Sequence, residues 1–580
     1  MMRPRYGISA LSAFVLLSAC ADNDDQQNEQ ADNQENTQEN NEEDVDVQAQ
    51  EAAVQDLYFY MDESDVDALY TRSPNSDDRL GAEVKLDPDS DEVLELDGGM
   101  RFRGNTARGL EKKSFNVRFE EDQPFLTDHN RMNLNGMFRD PSMMREKISW
   151  DIFEDAGMVS PSAEYFDFYL NDIYEGLYVH IDRIDMNLME RFDRNPNGTL
   201  VRDQIRGREG EQFNVNSTFG FDMSQIDQAD QVDFLEETFN YRGDPNWGEV
   251  REFIDLVQRT PAGPEFAQMM EEETETESFL TWLALHMMVG DIDAFGDDYW
   301  LYLDHEDPDA GWEIIPWDKN LSFGSHTRQG YGVLNDFFGY EYEMDPAGWD
   351  NQLFEKLMET DELRDDLEER LVELMEQFPP SYVEERASEY QEQIEESVET
   401  RPGEDAFERH PQNHFGELDD YELRAEQVTQ FVPLRYEYLR TQLGLNEAQQ
   451  EQAAQADVSA GETVYLTDSA GFVIGSFEAD QGEGSLSVET EDADIPGIQQ
   501  EYRLTADNTL SGELSLFYKN DLGWPIEGNW YEEDEAVGSQ GELVLFQDGS
   551  MLESEVNPYV NRIQGDVELD GTSTFTITYP

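Results

Sequence analysis

The chain has 580 residues, of which 132 are Asp or Glu and 38 are Lys or Arg, giving a formal net charge of −94. That balance leaves no basic footprint to neutralise phosphates, which excludes nucleic acid as a partner. A hydrophobic content of 38% with 12% aromatics argues for a packed core rather than a disordered acidic chain.

Residues 1–20 read as a lipoprotein signal peptide. Arg3 and Arg5 form a basic start, Ile8 to Leu17 a short apolar run, and Leu17-Ser18-Ala19-Cys20 a small-residue processing site. Cys20 is the only cysteine, so no internal disulfide can form, and its position is that of a thiol acylated in a bacterial lipobox. The apolar run is too short for a permanent span. The expectation is a protein tied to the membrane by lipid alone, on the periplasmic or outer face of a cell envelope, with Ala21 after the cysteine favouring the outer membrane. Residues 21–54 follow as an acidic tether; up to residue 50 they contain no aromatic or basic side chain.

Residues 55–445 read as an α+β domain. Strand-like runs occur at Leu57–Tyr60, Glu83–Leu86, Val93–Leu96 and Met100–Arg103, and Phe115, Val117 and Phe119 alternate with polar residues. Asp140-Pro141-Ser142 opens a helix through Glu154. Two more strands, Tyr165–Leu170 and Gly176–Ile181, are joined by Asn171-Asp172. The chain then turns helical: Val250, Phe253, Ile254 and Val257 keep helical spacing, as do Phe279, Leu283 and Met287, and later Leu363, Leu367, Leu371 and Leu374. An aromatic stretch, Tyr331 to Trp349, lies between. A last helix holds Val428, Phe431 and Pro433 and stops at Gly444. Residues 446–460 read as a linker. Short alternating runs over 461–580 predict a separate all-β sandwich or small barrel.

Three segments carry chemistry. Arg103-Gly104-Asn105-Thr106-Ala107-Arg108-Gly109 joins two strands with glycines that let the backbone approach an anion. Lys112-Lys113 follow. Extending the alternation of Phe115, Val117 and Phe119 backwards points Lys113 inward and Lys112 outward. Finally, Asp293, Asp298 and Asp318 bracket an aromatic strand, an order that suits one carboxylate orienting a hydroxyl and two oxygen ligands on magnesium. The seven histidines show no zinc spacing, and His286, Trp300 and Trp317 read as core.

The run Arg103 to Phe115 resembles the RGNS-x-RG-x-x-KKS[YF] motif of the CotH kinase family, the spore-coat-protein-H-like atypical kinases. Asp140 to Lys147 is similar to that family's D-x-S-x-x-R-x-K helix and Asn171 to Tyr178 to its N-G-x-Y-x-G-x-Y hairpin. Asp293 to Tyr302 resembles D-x-x-x-x-N-x-Y-L-Y, and Pro316 to Gly324 resembles P-W-D-x-D-x-[ST]-F-G. The motifs occur in the family's order. The resemblance implies a two-lobed, protein-kinase-like fold that uses ATP with Mg²⁺ or Mn²⁺ to phosphorylate Ser or Thr of envelope proteins. It places Lys113, Gly104, Asn105 and Arg108 on the nucleotide, Asp293 on the acceptor hydroxyl, and Asp298, Asp318 and Asn320 on metal. Asp298 stands where the family usually has Asn, Asn320 where a second Asp is common, and Asp182 where a Glu is expected. Those departures bear on activity, and the scarcity of ATP outside the cytoplasm keeps a second reading open, a catalytically inactive surface lipoprotein acting in binding, adhesion or envelope structure; a third is a nucleotidyl transferase that reuses the same carboxylates on the α-phosphate. The charge excess adds one more expectation, a halophilic setting, because molar salt shortens the screening length to about 3 Å.

Overall fold

The computed structural model describes residues 54–89, 94–95, 99–104, 107–119, 131–138, 140, 142–205, 217–291, 294–324, 351–400, 421–443, 456–461, 463–467, 473–495, 498–517, 543–557 and 562–578. Cys20, tether residues 21–53, the aromatic stretch 331–349 and Gly444 lie outside these residues.

The first half is β-rich. Its elements are β1 (Gln55–Tyr60), α1 (Glu63–Thr71), β2 (Glu83–Lys85), β3 (Leu94–Glu95), β4 (Gly99–Phe102), β5 (Phe115–Arg118), β6 (Arg131–Asn135), α2 (Arg145–Asp155), β7 (Ala163–Leu170) and β8 (Ile173–Ile181). The eight strands form one sheet in the order β3-β2-β1-β7-β8-β6-β5-β4, with β1 parallel to β7 and the other pairs antiparallel. Alternation builds the core, because period 2 sends Leu57 and Phe59, Phe115 and Val117, and Phe166 and Phe168 to the same apolar side. Asn171 and Asp172 turn β7 into β8 with φ of 51° and 61°, the left-handed pair that suits a two-residue hairpin.

The second half is helical around a small sheet. It runs α3 (Met186–Arg191), β9 (Thr199–Asp203), α4 (Gln231–Thr238), β10 (Phe239–Arg242), α5 (Trp247–Arg259), α6 (Pro264–Glu273), α7 (Thr276–Val289), α8 (Ala294–Asp297), β11 (Tyr299–Leu303) and β12 (Glu313–Pro316). Then come α9 (Gln352–Glu359), α10 (Asp361–Gln377), α11 (Pro380–Glu395) and α12 (Tyr421–Gln442), with Pro433 inside the last. The strand order is β10-β9-β11-β12. Val250, Phe253, Ile254 and Val257 form the buried stripe of α5, as their spacing requires. α7 is buried on every side, including His286, and is the central helix. It ends at Gly290 with φ 65°, where an added Cβ would meet the Phe431 ring at 2.5 Å. Only glycine fits that left-handed cap and the close approach together.

Strands between Ala456 and Thr578 form one further nine-stranded sheet. Its long pair, Ile498–Phe517 with Arg562–Thr578, is antiparallel with a register shift between Ala506 and Leu510. The apolar cluster of the helical half continues into this sheet, and Arg562 pairs with Glu426 of α12 at 2.8 Å.

Candidate active site

A cleft lies between the glycine turn after β4, the start of α2 and the loop after β12. Arg103, Gly104, Lys112, Asn135, Glu146 and Asn320 are among its walls. The turn is tight: Gly104 has φ 83°, and Ala107–Gly109 makes a short 3₁₀ turn.

The α2 wall is fixed by its N-terminus. Asp140 Oδ1 accepts hydrogen bonds from the Ser142 amide, the Ser142 hydroxyl and Arg145 Nη1, and Oδ2 accepts from the Arg145 amide. The D-x-S-x-x-R spacing is therefore a capping device, and the regular helix starts at Arg145, five residues after the predicted opening. One residue further, Glu146 enters the cleft. Asn135 Nδ2 donates to both of its oxygens, at 3.1 and 3.0 Å, and Arg103 donates in turn to Asn135 Oδ1. Burial, reinforced by the Asp318 charge, pushes the Glu146 carboxyl up to about 7.

The two lysines occupy places opposite to those the strand alternation predicts. β5 begins only at Phe115, so residues 112–114 do not follow its alternation. Lys112 is buried, donates from Nζ to Leu177 O at 2.5 Å and lies 4.5 Å from the Tyr178 ring centroid. Burial pushes its ammonium pKa well down, and the Asp167 charge opposes that. Lys113 is half-buried and turns back onto its own loop, donating to Arg108 O at 2.8 Å and Leu110 O at 2.5 Å. It does not line the cleft, and neither does Arg108, whose guanidinium pairs with Asp77 at 2.9 Å. Asn105 lies outside the described residues.

The far wall comes from the β11–β12 hairpin. Asp298 precedes β11 and Asp318 follows β12, so antiparallel pairing brings both to one end of the hairpin, where the Trp317 amide donates to Asp298 O at 3.2 Å. Asp318 is buried with φ 50°, a left-handed conformation that Asp tolerates better than most residues. Asn320 Oδ1 is buried and receives no hydrogen bond among the described residues. Asp318 and Asn320 thus offer hard oxygen ligands, which fit Mg²⁺ or Mn²⁺. Asp298 fits less well. Arg202 of β9 donates to its Oδ1 at 3.0 Å, with both side chains about 1% exposed, and the guanidinium lies 5.7 Å from the Trp317 ring. Asp293 lies outside the described residues, and among those described no three His, Cys, Asp or Glu side chains converge as a metal site.

Asp182 belongs to a different cluster. His180 Nε2 lies 3.3 Å away, Arg191 Nη1 at 2.6 Å and Ser162 Oγ at 2.6 Å. Trp300 and Trp317 are core residues with Leu200 and Ile315.

A β-rich lobe, a buried glutamate at the start of its helix and an acidic hairpin facing it across a cleft define a protein-kinase-like fold. A sequence model described as CotH kinase protein matches residues 100–439, more than half of the chain, and the chain belongs to that family. Inner spore coat protein H of Bacillus subtilis (strain 168) is 25% identical over 240 residues, which cover 40% of this chain and 59% of that protein. The chain thus spans less than two thirds of the length of this curated relative.

Proposed function

We propose that the protein is a CotH-like atypical kinase that transfers the γ-phosphate of ATP to Ser or Thr hydroxyls of envelope proteins. The observation that carries this reading is the cleft, in which Asn320 lines the wall opposite Glu146 and the glycine turn while the charge of neighbouring Asp318 reaches the Glu146 carboxyl. Lys112, the lysine in the cleft wall, takes the phosphate-facing role instead of Lys113, and the backbone at Gly104 lets the phosphates come close. Asp318 and Asn320 hold the cation. A bound Mg²⁺ or Mn²⁺ would neutralise charge on the phosphoryl oxygens. Asp293 orients the acceptor hydroxyl and takes its proton as the new O–P bond forms and ADP leaves. The spore-coat relative supports a place at a cell surface or envelope, as does the lipobox cysteine Cys20. No helix among the described residues is long and apolar enough to cross a membrane.

The second reading, an inactive binding scaffold, is favoured by two observations. Arg202 neutralises Asp298, and the cleft encloses about 60 Å³, so its walls must part to admit a whole nucleotide. Calorimetric titration of the protein with ATP, with and without Mn²⁺, separates the two. Manganese-dependent binding that Asp318→Ala abolishes supports the kinase. ATP that fails to bind at millimolar concentration leaves the scaffold.

A further inference from the structure

Behind the cleft lies a buried charge cluster that the reaction outlined above does not use. Lys319, Asp291 and His286 are each 0% exposed. Lys319 Nζ donates to Asp291 Oδ2 at 2.5 Å and meets His286 Nε2 at 2.7 Å. His286 Nδ1 lies 2.6 Å from the Trp282 carbonyl, which can only accept. Nδ1 therefore carries the ring hydrogen, and the bare Nε2 lone pair faces the ammonium. Burial and the Lys319 charge push the His286 pKa well down, which keeps the ring in that neutral form. Phe153 of α2 closes the cluster, edge-on to His286 with centroids 4.9 Å apart.

The cluster sits at a junction. Lys319 lies between the two candidate cation ligands, Asp318 and Asn320. Asp291 follows the Gly290 cap of α7 and stands two positions before Asp293 in the sequence. Two further bonds fix the same segment: the Phe323 amide donates to Val289 O at 2.6 Å, and Ser322 Oγ meets Ser149 Oγ of α2 at 2.8 Å.

We infer that Lys319 is a positioning residue, an internal latch whose ammonium, clasped by Asp291 and His286, sets the Asp318–Asn320 loop and the C-terminal end of α7 in one frame before any ligand arrives. The site is then preorganised, because the geometry costs no reordering when cation and nucleotide bind. A buried ion pair is poor evidence for stability, since apolar side chains of similar volume can replace it without loss. Its use here is the alignment of the loop after β12 with the end of α7. The catalytic consequence rests on the proposed kinase reading; the latch itself does not.

The test uses the full-length protein and the variant Lys319→Met/Asp291→Leu, which removes both charges so that neither is stranded; Lys319→Met alone serves as the harsher comparison. Amide hydrogen exchange without ligand is read together with Mn²⁺ affinity. Exchange at 318–323 in the double variant should rise by about tenfold or more, while β5 amides keep their protection and far-UV circular dichroism is unchanged. The Mn²⁺ dissociation constant should rise by a similar factor. Unchanged exchange at 318–323, or an increase spread evenly over the whole domain, overturns the latch. If the unmodified protein binds no Mn²⁺, the kinase reading falls and the exchange result alone decides the latch.

Discussion

Replacing Arg202 by Met tests the assignment of Asp298 most sharply. The guanidinium and carboxylate are 3.0 Å apart, and each side chain is about 1% exposed. Two unit charges at ~4 Å attract by about 4 kcal/mol at an effective dielectric of ~20. The larger effect is what remains after the change, because a buried carboxylate without its cation costs about 3–5 kcal/mol. Loss of the Arg202–Trp317 contact adds about 0.5–1 kcal/mol. Arg202→Met should therefore destabilise by about 3.5–6 kcal/mol. Arg202→Met/Asp298→Leu removes both charges and should recover to within ~1 kcal/mol of the unmodified protein. Urea unfolding at fixed salt, followed by tryptophan fluorescence, measures all three proteins without changing ionic strength. A loss below ~1 kcal/mol in the single variant, or a double variant no more stable than the single, refutes the buried-pair account. The same pair makes a functional prediction: since Arg202 already occupies the carboxylate, Asp298→Asn should leave Mn²⁺ affinity within about threefold.

Three other outcomes follow from the structure. Lys112→Met should lower kcat/KM for ATP by about 10- to 100-fold, the value of one charge-assisted contact, and Lys113→Met by no more than about threefold; a larger loss from Lys113→Met would return the phosphate role to that residue. Burial alone would raise the Asp182 carboxyl, but hydrogen bonds from His180 and Ser162 and the charges of His180 and Arg191 outweigh it and hold it below the usual range. Its stability contribution is thus complete above the ordinary Asp value near ~4 and is lost as pH falls below it, so Asp182→Asn should flatten the acid limb of a stability–pH curve, and an unchanged limb contradicts the assignment. With a net charge of −94, the melting temperature should climb as salt rises to ~3 M and the screening length shrinks to about 3 Å; a flat or falling curve removes the halophilic reading.

Much of the fold was legible because local signals agreed with tertiary ones. The helical stripe of α5 and the left-handed turn at Asn171-Asp172 each need only a few neighbouring residues to specify them. The loop after β12 was legible by resemblance, since Pro316 to Gly324 carries its motif with one change, Asn320 in place of the second Asp. The failures have non-local causes. Lys112 and Lys113 exchange places because alternation holds only where the chain is extended, and here it starts at Phe115. Arg202 is 96 residues from Asp298, and nothing in either sequence window announces the pair. Glu146 hides at an unspecified position between Arg145 and Lys147 of its motif, and only the fold turns it toward Asp318. Lys319 is concealed in the same way between Asp318 and Asn320. In a chain with 132 acidic residues, another Asp or Glu carries almost no information until its surroundings are known.

The central claim is phosphoryl transfer at this cleft. The most direct measurement incubates the full-length protein with γ-labelled ATP, Mn²⁺ and an acidic protein acceptor in ~2–3 M salt, beside Asp318→Ala. Label on Ser or Thr of the acceptor and a mass gain of one phosphate are expected, and neither in the variant. Label that persists in Asp318→Ala, a nucleotide-sized mass gain, or no transfer at all contradicts that claim.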